Sequence, residues 1–118
     1  MDQQHKTYVR PFRRRFGLSQ RELAFLIGAK SGSVVSRIER GQLTPNLTFA
    51  RAFALVFGTR AVDLFPGLFS DIQGQVLHRV NDLYEELQGN RSKTTRIKLD
   101  FLEGVMARLD GKRIDIDI

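Results

Sequence analysis

A chain of 118 residues, 42% of them apolar, is long enough for one core of ordinary size or a small domain with an appendage, and too apolar to be disordered throughout. It has no Cys, which removes disulfides, thiolate metal sites, iron–sulfur clusters and cysteine nucleophiles together. Lys and Arg number 19 against 13 Asp and Glu, a net charge of +6 that points to an acidic partner; no apolar run nears the ~20 residues of a membrane helix, and the first ten residues lack the apolar centre of a secretory signal, so a cytoplasmic protein is expected.

The first ten residues are polar and loose in character. A short helix is expected from Tyr8 or Pro11 to Phe16, since Pro suits the first turn of a helix, and Gly17 ends it. Ser19 caps a second helix, with Glu22 three residues on completing a capping box. Leu23, Ala24, Leu26 and Ile27 form its apolar face and Gly28 stops it. After the turn at Ala29 and Lys30, Ser31 caps a third helix that runs through Arg40 to Gly41, with Val35 and Ile38 inside. Asn46 caps a fourth, carrying Leu47, Ala50, Phe53, Ala54 and Phe57 at helical spacing. A one- or two-turn helix ends at Leu64 and Phe65, where Pro66 and Gly67 break the chain.

From Ser70 the pattern changes. Ile72, Val76, Val80, Leu83 and Leu87 recur three or four apart in a segment without Pro, which predicts a long amphipathic helix over 71–88. A polar loop over 89–93 leads to a last helix over 95–109, with Phe101, Leu102, Val105, Met106 and Leu109 inside. The tail Ile114–Ile118 alternates with period two and reads as a short edge strand or a frayed terminus. The charge is divided in the same way. Residues 1–60 hold 11 Lys and Arg against 3 Asp and Glu, and residues 61–118 hold 8 against 10, so the first half is the binding half.

Two short helices joined at Gly28 make a helix-turn-helix unit from Ser19 to Arg40. Ala24 is small where the second helix must cross. That second helix presents Gly32, Ser33, Ser36 and Arg37 outward, and small polar residues of this kind let a helix enter the major groove of double-stranded DNA. Arg37 can give two parallel hydrogen bonds to guanine, and Ser33 and Ser36 can reach base edges. Arg14, Arg21 and Lys30 are phosphate candidates; the plainer reading of such cations, Arg10 and Arg15 included, is solubility.

The run Gly17-Leu18-Ser19-Gln20-Arg21-Glu22-Leu23-Ala24, then Gly28, then Val35-Ser36-Arg37-Ile38-Glu39-Arg40-Gly41, then Pro45 and the helix to Phe57, resembles the Xre, or Cro/CI-type, helix-turn-helix domain of bacterial and phage regulators. The resemblance covers about Tyr8 to Phe65. It implies an all-α protein: a five-helix, lambda-repressor-like DNA-binding domain at 8–67, followed by a C-terminal helical hairpin at 68–118. It also implies that Gln20 lies near phosphate and braces the reading helix. Base-reading positions fall on Gly32, Ser33 and Arg37, a phosphate contact falls on Arg40, and Arg13 and Glu39 form a structural ion pair. Two features depart from the common pattern. Ala29-Lys30-Ser31-Gly32 is one residue longer, and the first reading position is a glycine, which leaves part of the specificity to DNA shape.

The expected function is a repressor binding a palindromic operator as a homodimer. The alternative class is a module whose main role is to hold a small protein partner, as an antitoxin holds its toxin. The negative second half suits partnering, with Leu83, Leu87, Leu102 and Met106 at the dimer or partner interface. The competing arrangement has the hairpin capping the core while the fourth and fifth helices pair. An enzyme is not expected. His5 lies in the loose tail, His78 stands alone on a helix near Arg79 and Asp82, and Asp82, Glu85 and Glu86 lack the spacing of a metal site. There is no Gly-rich loop to cradle a phosphate, and no cofactor is implied.

Overall fold

The structure, a computed structural model, describes residues 6–111. His5 and the alternating tail at 114–118 lie outside the described residues. Within them the chain is all-α: α1 (Val9–Arg15), α2 (Gln20–Ile27), α3 (Gly32–Glu39), α4 (Leu47–Phe57), α5 (Ala61–Leu64), α6 (Pro66–Glu86) and α7 (Lys93–Leu109). It divides into two compact units, one ending at Phe69 and the other beginning at Ser70.

The helices of the first unit begin and end where local chemistry directs. The Ser19 hydroxyl accepts the Glu22 amide at 3.0 Å, and the Glu22 carboxylate accepts the Ser19 amide at 2.8 Å. The Ser19 amide foremost, and then the Ser19 hydroxyl, hold the Glu22 carboxyl below its ordinary value. Asn46 Oδ1 accepts the Phe49 amide at 2.8 Å to start α4. Gly28 and Gly58 close α2 and α4 at φ of 79° and 66°, a left-handed conformation that costs glycine little.

Val9, Leu23, Val35, Ile38, Phe53 and Leu64 are completely buried, with Phe65 beside them. Each is worth about 1.5–3 kcal/mol of apolar burial. Phe53 packs on Phe65 and Phe57, with ring centroids 6.0 and 6.5 Å apart, and Phe12 meets Phe57 at 5.4 Å. The Tyr8 amide donates to the Leu64 carbonyl at 2.8 Å, which fastens the start of α1 to the end of α5. Leu26 departs from expectation and is 49% exposed. At 100° per residue, Leu23, Ala24 and Ile27 fill the inner arc of α2 and Leu26 falls beyond its edge.

Pro66 does not break the chain but is the first residue of α6. A helix needs no amide hydrogen at that place, and the fixed φ of proline suits it. In the second unit α7 returns antiparallel to α6. Gln73 Nε2 donates to the Leu109 carbonyl at 3.1 Å near one end, and Tyr84 Oη donates to Glu103 Oε2 at 2.7 Å toward the other. Ser92 caps α7 by accepting the Thr95 amide at 3.1 Å.

The expected single stripe of α6 is in fact two lines. Gln73, Leu77, Val80, Tyr84 and Leu87, spaced four and three apart, are half-buried on the side turned to α7. Ile72, Val76 and Leu83 lie one residue earlier and are exposed. On α7 the matching line is Thr95, Leu99, Leu102, Met106 and Leu109, with Thr95 and Leu102 buried. Of the residues expected at an interface, Leu102 is buried within the chain, and Leu87 and Met106 are half-buried. Leu83 alone of that set stays open.

Candidate nucleic-acid interface

The helix that would read DNA, α3, lies across α2 at very close range. A Cβ added at Gly32 would stand 3.1 Å from the Arg21 nitrogen and 3.3 Å from the Gln20 carbonyl carbon. Gly32 therefore faces the neighbouring helix and not outward, which corrects its expected place on the reading face. Ser31 has the extended backbone of an N-cap, yet its hydroxyl bonds the Ser33 hydroxyl at 2.7 Å in place of a backbone amide. Helix α3 stops at Glu39, with Arg40 as its C-cap. The Arg37 carbonyl accepts the amides of Gln42 and Leu43 at 2.8 and 3.2 Å, which fixes the chain as it leaves.

With Val35 and Ile38 buried inside, the opposite side of α3 exposes Ser33, Arg37 and Arg40, and Ser36 is half-buried. Ser33 and Arg37 are one turn apart and share a line. Among the described residues the Arg37 guanidinium has no hydrogen bond or ion pair, so its donors are free for a ligand. Arg40 Nε makes only a long bond, 3.4 Å, to the Ser36 carbonyl of its own helix. Arg14 on α1, Arg21 on α2 and Lys30 in the turn are all exposed.

A buried network holds this surface in place. Glu39, whose side chain is 2% exposed, accepts Arg13 Nε at 2.6 Å, Arg13 Nη2 at 3.2 Å and Gln20 Nε2 at 3.1 Å. Arg13 Nη1 also donates to the Leu18 carbonyl at 2.9 Å. One carboxylate thus ties α1, α2 and α3 together. The Gln20 amide, expected near phosphate, is engaged with Glu39; the bracing half of its expected role is the one visible. Sequence reasoning missed the close approach at Gly32, whereas the bracing by Gln20 was implied by the family resemblance. The turn lengthened by one residue was the available signal for that approach.

Elsewhere, His78 Nε2 lies 3.4 Å from Asp82 Oδ2 on the exposed surface of α6. No group of three His, Asp or Glu among the described residues converges to hold a metal ion. No helix among them is long and apolar enough to cross a membrane.

Comparison with known proteins adds to this geometry. Residues 10–64 match the helix-turn-helix family. Two proteins of Archaeoglobus fulgidus, each described as an uncharacterized HTH-type transcriptional regulator, are similar to the chain. One is 38% identical over 66 residues, which is 56% of this chain and 90% of the relative. The other is 33% identical over 60 residues, 51% of this chain and 83% of the relative. No solved structure matches. The family match ends at Leu64, before α6 begins.

Proposed function

The chain belongs to the helix-turn-helix family of HTH-type transcriptional regulators, and from that premise we propose that it is a repressor that binds a palindromic operator as a homodimer. In this reading α3 enters the major groove, Arg37 reads guanine, and Ser33 and Ser36 contact neighbouring base edges or phosphate oxygens. Arg14, Arg21, Lys30 and Arg40 neutralise phosphates. Gln20 braces α3 through Glu39. The supporting observation is the unengaged Arg37 guanidinium, one turn from Ser33, on a helix whose position is set by the buried Glu39 network.

The test is selection of bound DNA from a random pool, then footprinting on the selected site. Arg37→Ala should cost about 1–3 kcal/mol on the selected site and much less on random DNA. Equal losses on both would make Arg37 a phosphate anchor and remove it from base reading.

A second reading, a module that mainly holds a protein partner, draws on the exposed Ile97 and Phe101 of α7. A stoichiometric second protein in the natural complex, with no selected DNA site, would favour it.

A further inference from the structure

The hairpin carries a second apolar line that is largely exposed among the described residues. On α6, Ile72, Val76 and Leu83 are 47, 39 and 43% exposed. They lie one residue before Gln73, Leu77 and Tyr84 of the line turned to α7, and one residue is about 100° of rotation. Helix α6 therefore has two apolar lines roughly a right angle apart, as a helix with two neighbours requires. On α7 the residues with the same offset include Phe101, 67% exposed, and Val105, which is buried; Ile97, 62% exposed, flanks them. Antiparallel helices are related by a two-fold axis normal to their common plane, so equal offsets fall on the same side of the hairpin. The opposite offset gives Gly74, His78, Asn81, Glu85 and Gln88 on α6, and Arg96, Asp100, Glu103, Ala107 and Asp110 on α7. One side of the hairpin thus exposes Ile72, Val76, Leu83 and Phe101 between the charges of Arg79, Glu86, Lys98 and Arg108, and the other holds no large apolar residue.

Charge indicates what covers the open side. Helix α6 carries Asp71, Asp82, Glu85 and Glu86 against Arg79, while α7 carries Lys93, Arg96, Lys98 and Arg108 against Asp100 and Glu103. One helix is acidic and the other basic. Two hairpins stacked on their open sides, with a two-fold axis along the helices, place each α6 between its own α7 and that of the second copy. Opposite charges then alternate around the bundle and like charges sit on the diagonals. Such an axis preserves level. Between the pairings of Gln73 with Leu109 and Tyr84 with Glu103, Glu86 comes level with Lys98 of the second copy, and both lie at the offset of the open side. The first unit is poorly suited to the same task. Residues 1–69 hold 11 Lys and Arg against 4 Asp and Glu, so two copies repel.

We propose that the open side of the α6–α7 hairpin seats a second copy of this chain, closing a four-helix bundle in which α6 lies against α7 of the other copy. This rests on the reading of the chain as a paired DNA binder and names the surface that makes the pair.

The experiment uses the full chain. Light scattering at micromolar concentration should give a dimer for the natural sequence, and monomers for Leu83→Asp and for Phe101→Asp, with the helical circular dichroism signal retained. A monomeric natural chain, or dimers that survive both substitutions, would overturn the proposal. Because the chain has no cysteine, introduced thiols report neighbours directly. Chains bearing Arg79→Cys and Gly104→Cys, one of them enlarged by a tag, are mixed and oxidised. The mixed cross-link should exceed either self-link, and an excess of self-links would overturn the α6-to-α7 arrangement. Footprinting of the natural chain separates this from the functional reading. Protection of a palindrome by a chain that is monomeric in solution removes the interface and keeps the function. A dimer that selects no DNA supports the interface and removes the function.

Discussion

At the scale of single residues, α3 depends on Glu39. Its carboxylate is out of water and satisfied by three donors from Arg13 and Gln20. Replacing one partner of such a pair strands the other, which costs about 3–5 kcal/mol when the site is fully buried. Arg13 keeps 12% of its side chain exposed, so Glu39→Ala should cost about 3 kcal/mol, near the lower end, measured by urea unfolding. A loss within experimental error would mean that the network is decorative. Gly32 makes a different demand. A Cβ there would press on the backbone of Arg21, which cannot yield as a flexible side chain does. Gly32→Ala should shift α3 and weaken binding to the selected site at least tenfold, about 1.4 kcal/mol, in a titration that holds salt constant. Unchanged affinity would show that the crossing has slack. The Arg13–Glu39 pair came from family resemblance, because nothing in 26 residues of separation announces it. The bracing by Gln20 came from the same resemblance, while its partner and the Gly32 contact were not legible beyond the hint of a lengthened turn. They depend on the distance between two helices, and spacing along one chain does not encode that distance.

At the scale of elements, the legible features were those governed by neighbours a few residues away. Ser19 with Glu22, Asn46 and Gly28 start and stop helices where the sequence placed the boundaries. What escaped was Pro66, a residue that both ends and begins helices, and the division of α6 into two lines. Leu83 and Leu87 are both leucines at helical spacing, and only the position of α7 makes one half-buried and the other open. Tyr84 offers a direct test of the hairpin. Its hydrogen bond to Glu103, helped by desolvation and the nearby charge, raises its pKa above the ordinary 10.0. A raised value in the folded state means that the contribution is fully present below the ordinary value and is lost as pH rises through the raised one. Alkaline absorbance titration of a Tyr8→Phe chain should therefore show Tyr84 ionising late. Glu103→Gln should bring it back toward the ordinary range. Titration at the ordinary value before any substitution would mean that the bond does not persist in solution.

At the scale of the whole molecule, charge separates the two units. Residues 1–69 carry +7 and residues 70–118 carry −1. Affinity for DNA should fall steeply with salt, by about 0.9 logarithmic units per phosphate neutralised for each tenfold rise in salt. Arg40→Ala should flatten that slope by roughly one unit and leave site preference unchanged. A slope that does not move would take Arg40 out of the phosphate set. The distribution of internal duties across the first unit carries a wider consequence. What ties α3 to its neighbours lies on its hidden side, in Glu39, Val35, Ile38 and the bare backbone of Gly32, while among the described residues the side chains of Arg37 and Ser36 bear no bond. If α3 reads DNA as proposed, the letters of its reading surface can be rewritten without rebuilding the frame that holds them. On the same proposal, exchange of residues 33, 36 and 37 alone offers a route to give this chain a new operator over an unchanged scaffold.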